Sequence, residues 1–355
     1  MRNYLILLLI LLPIGAFAQT NNSFPNKNKV QKAIELMDDG KVEEAIKLLE
    51  EAKKSDPKNY IYDYEKGYAY YIKQDYKTSL EIFKDVVKYD NITDQCFQML
   101  GNLYDINGAP ESALKAYDKG LKKFPNSGRL FLEKGNVYWG QKKYSDALPL
   151  YEQGIKVEPS FPSNYYRVAI IYFNSTEPVW GMIYGELFMN LERNSKRTEE
   201  ISKMLFDTYK SQIAFKKDTV SVSFSKNNII TISDLKDIKN FKLPFGVGAY
   251  EPTLLLSITG QQEINLATLD TIRQRFVKEY FSGDLYKKYP NALFDYQKKV
   301  QDAGHMEAYN YWILMKGNEE AFLKFKEANE EKWENFVNWF SENGLILDEK
   351  SQWGR

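Results

Sequence analysis

The chain has 355 residues, with 48 Lys and Arg against 48 Asp and Glu, so its formal net charge at pH 7 is zero. A neutral chain carries no electrostatic signal for nucleic acid or for a strongly acidic ligand. Charged residues at 27% and aromatic residues at 15% fit a folded, soluble protein, and the length leaves room for two domains. The single cysteine, Cys96, excludes an intramolecular disulfide.

The first predicted element is a targeting segment over residues 1–18. Arg2 supplies a positive start, residues 5–12 an apolar run, and residues 16–18 a small-x-small cleavage site. The apolar run is shorter than the roughly 20 residues that cross a bilayer, which favours a cleaved signal peptide over a membrane anchor. Residues 19–25 predict a flexible leader. We therefore expect an exported protein, periplasmic or secreted, with no integral membrane segment after cleavage.

Small residues and tyrosines then recur with a period of 34 residues. The columns are Gly67, Gly101, Gly135 and Ala169, and Tyr70, Tyr104, Tyr138 and Tyr172. Such a period, with small and aromatic residues at fixed offsets, is typical of stacked helix-turn-helix units. A lone unit cannot bury its apolar face, so three or more must stack.

These columns resemble the tetratricopeptide repeat family. The third unit shows the pattern in Gly101, Tyr104, Gly108, Ala113, Tyr117, Gly120 and Pro125. The units are placed at about 26–59, 60–93, 94–127 and 128–161, with a degenerate fifth at 162–195. The resemblance implies a mainly α protein containing an α-solenoid, a right-handed superhelix of helical hairpins. The long C-terminal tail makes the chain similar to exported tetratricopeptide proteins of the Bacteroidetes.

The fifth unit departs from the pattern, because Gly181 and Gly185 occupy its second-helix columns. Residues 179–191 predict an apolar helix that docks onto the following domain, and a Gly-x-x-x-Gly pair allows close backbone approach. Self-association through this helix is an alternative. Residues 198–212 predict one more amphipathic helix, which completes a solenoid over residues 26–212.

Function in this family resides on the concave groove formed by the first helices. Carried onto this chain, the partner-binding positions are Tyr64, Tyr68, Tyr71, Gln98, Asn102, Asp105, Asn136, Trp139, Tyr166 and Phe173. Aromatic rings with amide groups between them suit an extended peptide, through stacking and backbone hydrogen bonds. Packing of several tyrosines against neighbouring helices is the competing interpretation. Asn102 and Asn136 lack Lys or Arg partners at the flanking positions, which disfavours capture of a C-terminal carboxylate.

A different pattern begins near residue 213. Val220, Val222 and Phe224 alternate with serines, which predicts a half-buried strand. Residues 229–232 are the expected hairpin partner, and residues 253–259 the expected third strand. Helices are predicted at 264–281, 286–303, 305–315 and 319–341. Residues 213–355 are therefore expected to form a small α+β domain.

The numbers of cysteines and histidines exclude most catalytic and metal-binding sites. With one cysteine, Cys96, and one histidine, His305, paired-histidine zinc motifs and cysteine clusters are impossible. Gly246-x-Gly248 lacks the third glycine of a dinucleotide fingerprint, and we expect an extended run after Pro252 in place of the fingerprint's helix. Aspartates and glutamates are abundant, but the sequence singles out no catalytic pair. We expect no cofactor, no metal and no catalytic residue.

The leading hypothesis is a non-enzymatic scaffold or adaptor of the bacterial envelope that binds a protein or peptide in the solenoid groove. The alternative is a hydrolase, or a hydrolase subunit, with its site in residues 213–355. A pocket there with two carboxylates about 5–10 Å apart would favour the alternative.

Overall fold

The computed structural model describes residues 24–217, 219–226 and 242–351. The targeting segment, most of the leader, and the expected strand at 229–232 lie outside the described residues. The chain divides into two compact units, with the boundary between Ala109 and Pro110. We call them the N-terminal unit and the C-terminal unit.

The N-terminal unit contains five helices, and each contacts the next along the chain. They are α1 (Lys27–Asp38), α2 (Val42–Ser55), α3 (Ile61–Ile72), α4 (Tyr76–Val86) and α5 (Asp94–Ile106). The pair α3 and α4 shows why small residues recur. A Cβ atom built on Gly67 would lie 2.7 Å from the Phe83 ring, so only glycine lets the two helices approach. Ser79 occupies the alanine column and donates a buried hydrogen bond to the Gly67 carbonyl, at 2.8 Å.

The C-terminal unit begins with six helices that continue the same pattern of successive contacts. They are α6 (Pro110–Lys123), α7 (Gly128–Gly140), α8 (Tyr144–Val157), α9 (Pro162–Phe173), α10 (Pro178–Leu191) and α11 (Lys196–Gln212). Gly135 repeats the role of Gly67, because its Cβ atom would lie 2.4 Å from the Tyr151 ring. The helical hairpins predicted from the period are thereby confirmed.

Helix α10 is the centre of the hydrophobic core in this unit. All of its residues from Pro178 to Asn190 are buried. Gly181 and Gly185 lie against the ring of Phe173, and Gly185 also faces Ile201. Because residues 178–190 are buried within the chain, self-association through residues 179–191 would require this packing to open.

A two-stranded antiparallel sheet follows α11, formed by β1 (Ile213–Lys216) and β2 (Thr219–Val222), with Ile213 opposite Val222. The strand expected at Val220 is present as β2. Among the described residues it pairs with β1, which precedes it in the chain. After β2 the chain is fixed by two carboxylates. Glu251 accepts the Phe224 N–H at 2.6 Å, and Glu177 accepts the Lys226 N–H at 2.8 Å.

Helices make up the rest of the described C-terminal unit. After one π-helical turn (Gly246–Tyr250) come α12 (Glu251–Ile258), α13 (Leu266–Ser282), α14 (Leu285–Lys288), α15 (Ala292–Asp302), α16 (Met306–Ile313), a 3-10 turn (Met315–Gly317), α17 (Glu319–Ala328) and α18 (Glu330–Glu342). The predicted helix at 319–341 is thus two helices that meet at Asn329. The protein is mainly α, with one small sheet among the described residues.

The prediction of a third strand at residues 253–259 was wrong. These residues form α12, where Thr253 and Ser257 donate their hydroxyls to the carbonyls four residues earlier, each at 2.7 Å. Leu254 and Ile258, four positions apart, are buried in the core. The short apolar run therefore follows the helical period.

One hydrophobic cluster extends through the C-terminal unit, from Leu132 in α7 to Leu347. Both sides of residue 213 contribute to it. The expected domain boundary at that position stays a prediction.

Candidate functional site

In the N-terminal unit, α3 carries three of the predicted groove tyrosines. Tyr64 is buried, with its ring edge-on to Phe83 at 5.3 Å. Tyr68 and Tyr71 are half-buried and stack on each other, with ring centroids 6.0 Å apart and an interplanar angle of 10°. The stacked pair is the part of this aromatic set that reaches solvent, whereas Tyr64 belongs to the core.

Glu65 lies on the same helix and is 6% exposed. Burial raises the pKa of its carboxyl to about 8, so the free protein holds this group protonated at neutral pH. Burial, followed by the nearby carboxyls of Glu65 and Asp38, also raises the pKa of Tyr68. Glu65 and Tyr68 are three residues apart on α3, so they are neighbours on one side of the helix.

Helix α5 supplies the remaining predicted positions of the N-terminal unit. Gln98 and Asn102 are buried, and Asp105 is half-buried. Burial raises the pKa of the Asp105 carboxyl. The spacing of these three residues places them on one side of α5, and of the three Asp105 is the most accessible to a ligand.

In the C-terminal unit, Asn136 is committed to hydrogen bonds within the chain. Its Nδ2 donates to Glu133 at 3.0 Å, and its Oδ1 accepts the Tyr151 hydroxyl at 3.1 Å. These bonds hold the side chain in place between α7 and α8.

Trp139 and Tyr166 form a mixed aromatic and cationic surface with Arg167. The Arg167 guanidinium carbon lies 5.0 Å from the centre of the Trp139 ring and 5.9 Å from that of Tyr166. All three side chains are half-buried. Arg167 forms no ion pair with any residue that the structure describes. Its planar guanidinium can therefore direct N–H groups toward a ligand while the rings shield its faces.

The same surface continues onto α11. The Arg197 guanidinium carbon lies 5.1 Å from the Tyr166 ring centre and 5.3 Å from that of Phe188. Arg197 is held by a bidentate pair with Glu192, and the Tyr166 hydroxyl donates to Glu200 at 2.7 Å. Burial, then the hydrogen bond to that carboxylate, raises the pKa of Tyr166 to about 12. We call Trp139, Tyr166, Arg167 and Arg197 the aromatic–arginine face.

Phe173, also predicted to bind the partner, lies inside the α9–α10 hairpin. Its ring covers Gly181 and Gly185, where added Cβ atoms would lie 2.7 Å and 3.2 Å from ring atoms. This position fills the α9–α10 hairpin, although the side chain keeps some exposure.

Sequence reasoning missed three charged residues on these faces: Glu65, Arg167 and Arg197. A signal was available for the first two. They occupy one column of the 34-residue period, together with Met99 and Glu133. Methionine in this column indicates a position covered by neighbouring helices. A charged residue at such a position is unusual, since charged side chains are mostly exposed.

The C-terminal unit also contains a buried ion pair. Arg273 donates to both carboxylate oxygens of Glu186, at 2.5 and 2.9 Å, and both side chains are at most 5% exposed. Gln297 and Tyr309 donate to the same carboxylate, at 2.7 and 2.9 Å. The neighbouring Glu186 charge, against the cost of burial, raises the pKa of Arg273 well above its usual range.

This pair borders a cavity of about 20 Å³, which has room for about one water molecule. Glu186 is the single carboxylate in the cavity lining, and Arg273 neutralises it. The two-carboxylate arrangement that would favour a hydrolase is not formed in this cavity.

Within residues 24–217, 219–226 and 242–351, no group of three or more His, Cys, Asp or Glu side chains is arranged to hold a metal ion. In the same ranges, no helix combines the length and the apolar character that crossing a membrane requires.

Comparison with known proteins agrees with the repeat pattern. A tetratricopeptide repeat family model matches residues 30–91 and 99–165. No curated protein matches the chain.

Several solved structures are similar over about half of the chain. PilF of Pseudomonas aeruginosa is 18% identical, with 51% of this chain and 83% of that chain covered at a TM-score of 0.44. PilW, a type IV pilus biogenesis factor, is 19% identical, with 51% and 86% covered at 0.41. MamA is 19% identical, with 45% and 94% covered at 0.38. With the family match and the observed helical hairpins, residues 30–91 and 99–165 of this chain are tetratricopeptide repeats.

Proposed function

We propose that this protein is a non-enzymatic interaction scaffold of the bacterial envelope that binds an extended segment of a partner protein on its first-helix faces. Tetratricopeptide repeats typically mediate protein–protein contacts, and stacked repeats present long surfaces suited to such segments. The neutral charge balance favours a protein or peptide partner over nucleic acid.

The observation that supports this proposal most is the aromatic–arginine face. Trp139 and Tyr166 keep part of their rings in solvent, and Arg167 lies between them without an ion-pair partner among the described residues. Aromatic rings bury large areas with little loss of side-chain entropy, which is why they dominate binding energy at interfaces. The Arg167 N–H groups would then donate to backbone carbonyls of the bound segment.

The location rests on residues 1–18, whose charge and apolar pattern predict export. We place the mature protein in the periplasm, with secretion as the other outcome. Cell fractionation that recovers the mature chain in the cytoplasm would contradict this placement.

The test is a crosslinking pulldown from envelope extract with the mature protein and its Trp139→Ala/Tyr68→Ala variant. Loss of a captured partner in the variant, with helical content unchanged by circular dichroism, is the expected result. Arg167→Ala should weaken the same capture. The matched control is Arg275→Ala, because Arg275 is an exposed arginine on α13 that donates to the Thr259 carbonyl. Equal capture by the wild type and the double variant would move the binding site elsewhere.

A further inference from the structure

We infer that the first-helix face of the N-terminal unit recognises a cationic side chain of the partner, with Glu65 as its counter-ion and Tyr68 and Tyr71 beside it. This inference rests on the proposed scaffold function and specifies the chemistry of the segment that the scaffold binds.

The first observation is that Glu65 is buried without a partner. It forms no hydrogen bond and no ion pair with any described residue, although it is 94% buried. The two other buried glutamates are satisfied. Glu133 accepts a hydrogen bond from Asn136, and Glu186 is paired with Arg273. Because a buried carboxyl without a partner costs stability, its presence calls for a compensating interaction that the free chain does not supply.

The second observation concerns where the Glu65 carboxyl lies. Burial, then the Cys96 thiol, and more weakly Glu65 and Asp94, raise the pKa of Tyr60, while a hydrogen bond with Thr93 opposes them. Glu65 and Asp38 contribute in the same direction at Tyr68. Glu65 precedes Tyr68 by three residues on α3, so the two side chains are neighbours on the helix face that bears the stacked pair.

The surroundings favour a cation. Asp38 is exposed and Asp105 is half-buried, and neither forms an ion pair with a described residue. Three lysines of α2 and α3 are paired with other carboxylates: Lys53 with Asp63, Lys66 with Glu50, and Lys73 with Glu43. The first helices of this unit therefore carry carboxyls that form no ion pair with a described residue, and α3 carries the two stacked rings. Tyrosine faces attract an ammonium or guanidinium group, and the attraction grows when the site is desolvated.

Binding of a cation changes the protonation of Glu65. The free carboxyl holds a proton at neutral pH, and a guanidinium in contact with it stabilises the carboxylate, so the proton leaves to solvent as the complex forms. The titratable groups coupled to Glu65 are Tyr60 and Tyr68; Asp38 from α1 acts on Tyr68, and Asp94 and Cys96 from α5 act on Tyr60. Burial raises the pKa of Glu65 to about 8 in the free protein.

The test uses capped peptides with one variable central residue: acetyl-Gly-Arg-Gly-amide, and the same peptide with lysine, citrulline or glutamate. Citrulline matches arginine in shape and lacks its charge. Binding to the isotopically labelled mature protein is followed by NMR chemical shifts of the N-terminal unit. We expect the arginine peptide to bind at least about tenfold more tightly than the citrulline peptide, which corresponds to about 1.4 kcal/mol. The lysine peptide shows whether an ammonium group serves as well.

The Glu65→Gln variant should abolish the preference for arginine over citrulline. Glu133→Gln is the matched control, since Glu133 occupies the same column of the repeat and already has a partner, and it should keep the preference. Equal binding of arginine and citrulline peptides would overturn cation recognition and leave the scaffold function standing. Preference for glutamate, or shifts confined to other surfaces, would also overturn it. The pulldown described above decides the scaffold function separately.

Discussion

Replacing Glu65 by glutamine should stabilise the N-terminal unit, and the gain should depend on pH. In the folded protein the pKa of Glu65 is raised from 4.5 to about 8. Each pKa unit corresponds to about 1.4 kcal/mol, so the difference between the folded and unfolded chains amounts to about 5 kcal/mol. Glutamine keeps the size of the side chain and has no proton to lose.

The sign follows from proton binding. Between pH 4.5 and about 8, folded Glu65 holds a proton that the unfolded chain has released, so the free energy of unfolding falls as pH rises. This contribution is fully present below pH 4.5 and is lost by about pH 8. Subtracting the wild-type free energy of unfolding from that of Glu65→Gln cancels the other titrating groups. The difference should therefore grow by about 5 kcal/mol across that range.

Unfolding in urea, followed by circular dichroism at a series of pH values, measures this difference. Cys96 provides a local probe, because it is the only cysteine of the chain and is fully buried in the same unit. Its reaction with a thiol reagent reports opening of the N-terminal unit. The matched variant Glu133→Gln should be destabilised instead, since it weakens the hydrogen bond from Asn136. Parallel pH profiles for wild type and Glu65→Gln would refute the reasoning.

Two further predictions concern the C-terminal unit. Gly135→Ala should lower the free energy of unfolding by about 1–3 kcal/mol, because its methyl group would lie 2.4 Å from the Tyr151 ring. The control Gly140→Ala meets no atom within 4 Å and should be neutral or slightly stabilising. Equal thermal midpoints for the two variants would contradict the packing account. Arg273→Met should lower the free energy of unfolding by about 3–5 kcal/mol, because it leaves Glu186 buried and unpaired. In urea unfolding, the double variant with Glu186→Gln should recover part of that loss. A double variant less stable than Arg273→Met would contradict this account of the buried pair.

The candidate faces show the limits of sequence reasoning at single residues. Trp139 and Tyr166 were expected on the first helices and are half-buried there, with Arg167 between them. Tyr64 occupies the column of Tyr166, and Asn136 the column of Tyr68, but both pack or bond within the chain. A column in the repeat specifies which side of a helix a residue occupies. Whether the side chain is then covered depends on the size of its neighbours on the next helix.

The sequence by itself determined the repeated helical hairpins, because their signal is local and periodic. Gly67 and Gly135 recur at a fixed spacing since each hairpin needs a small residue where its two helices cross, and the structure shows both contacts. Only the tertiary structure decided that residues 251–258 form a helix and that α10 lies at the centre of a core extending to Leu347. A short apolar run fits either a strand or a helix, and the choice depends on which distant residues cover it. The same holds for Glu65, since its burial without a partner is a property of the packed helices around it.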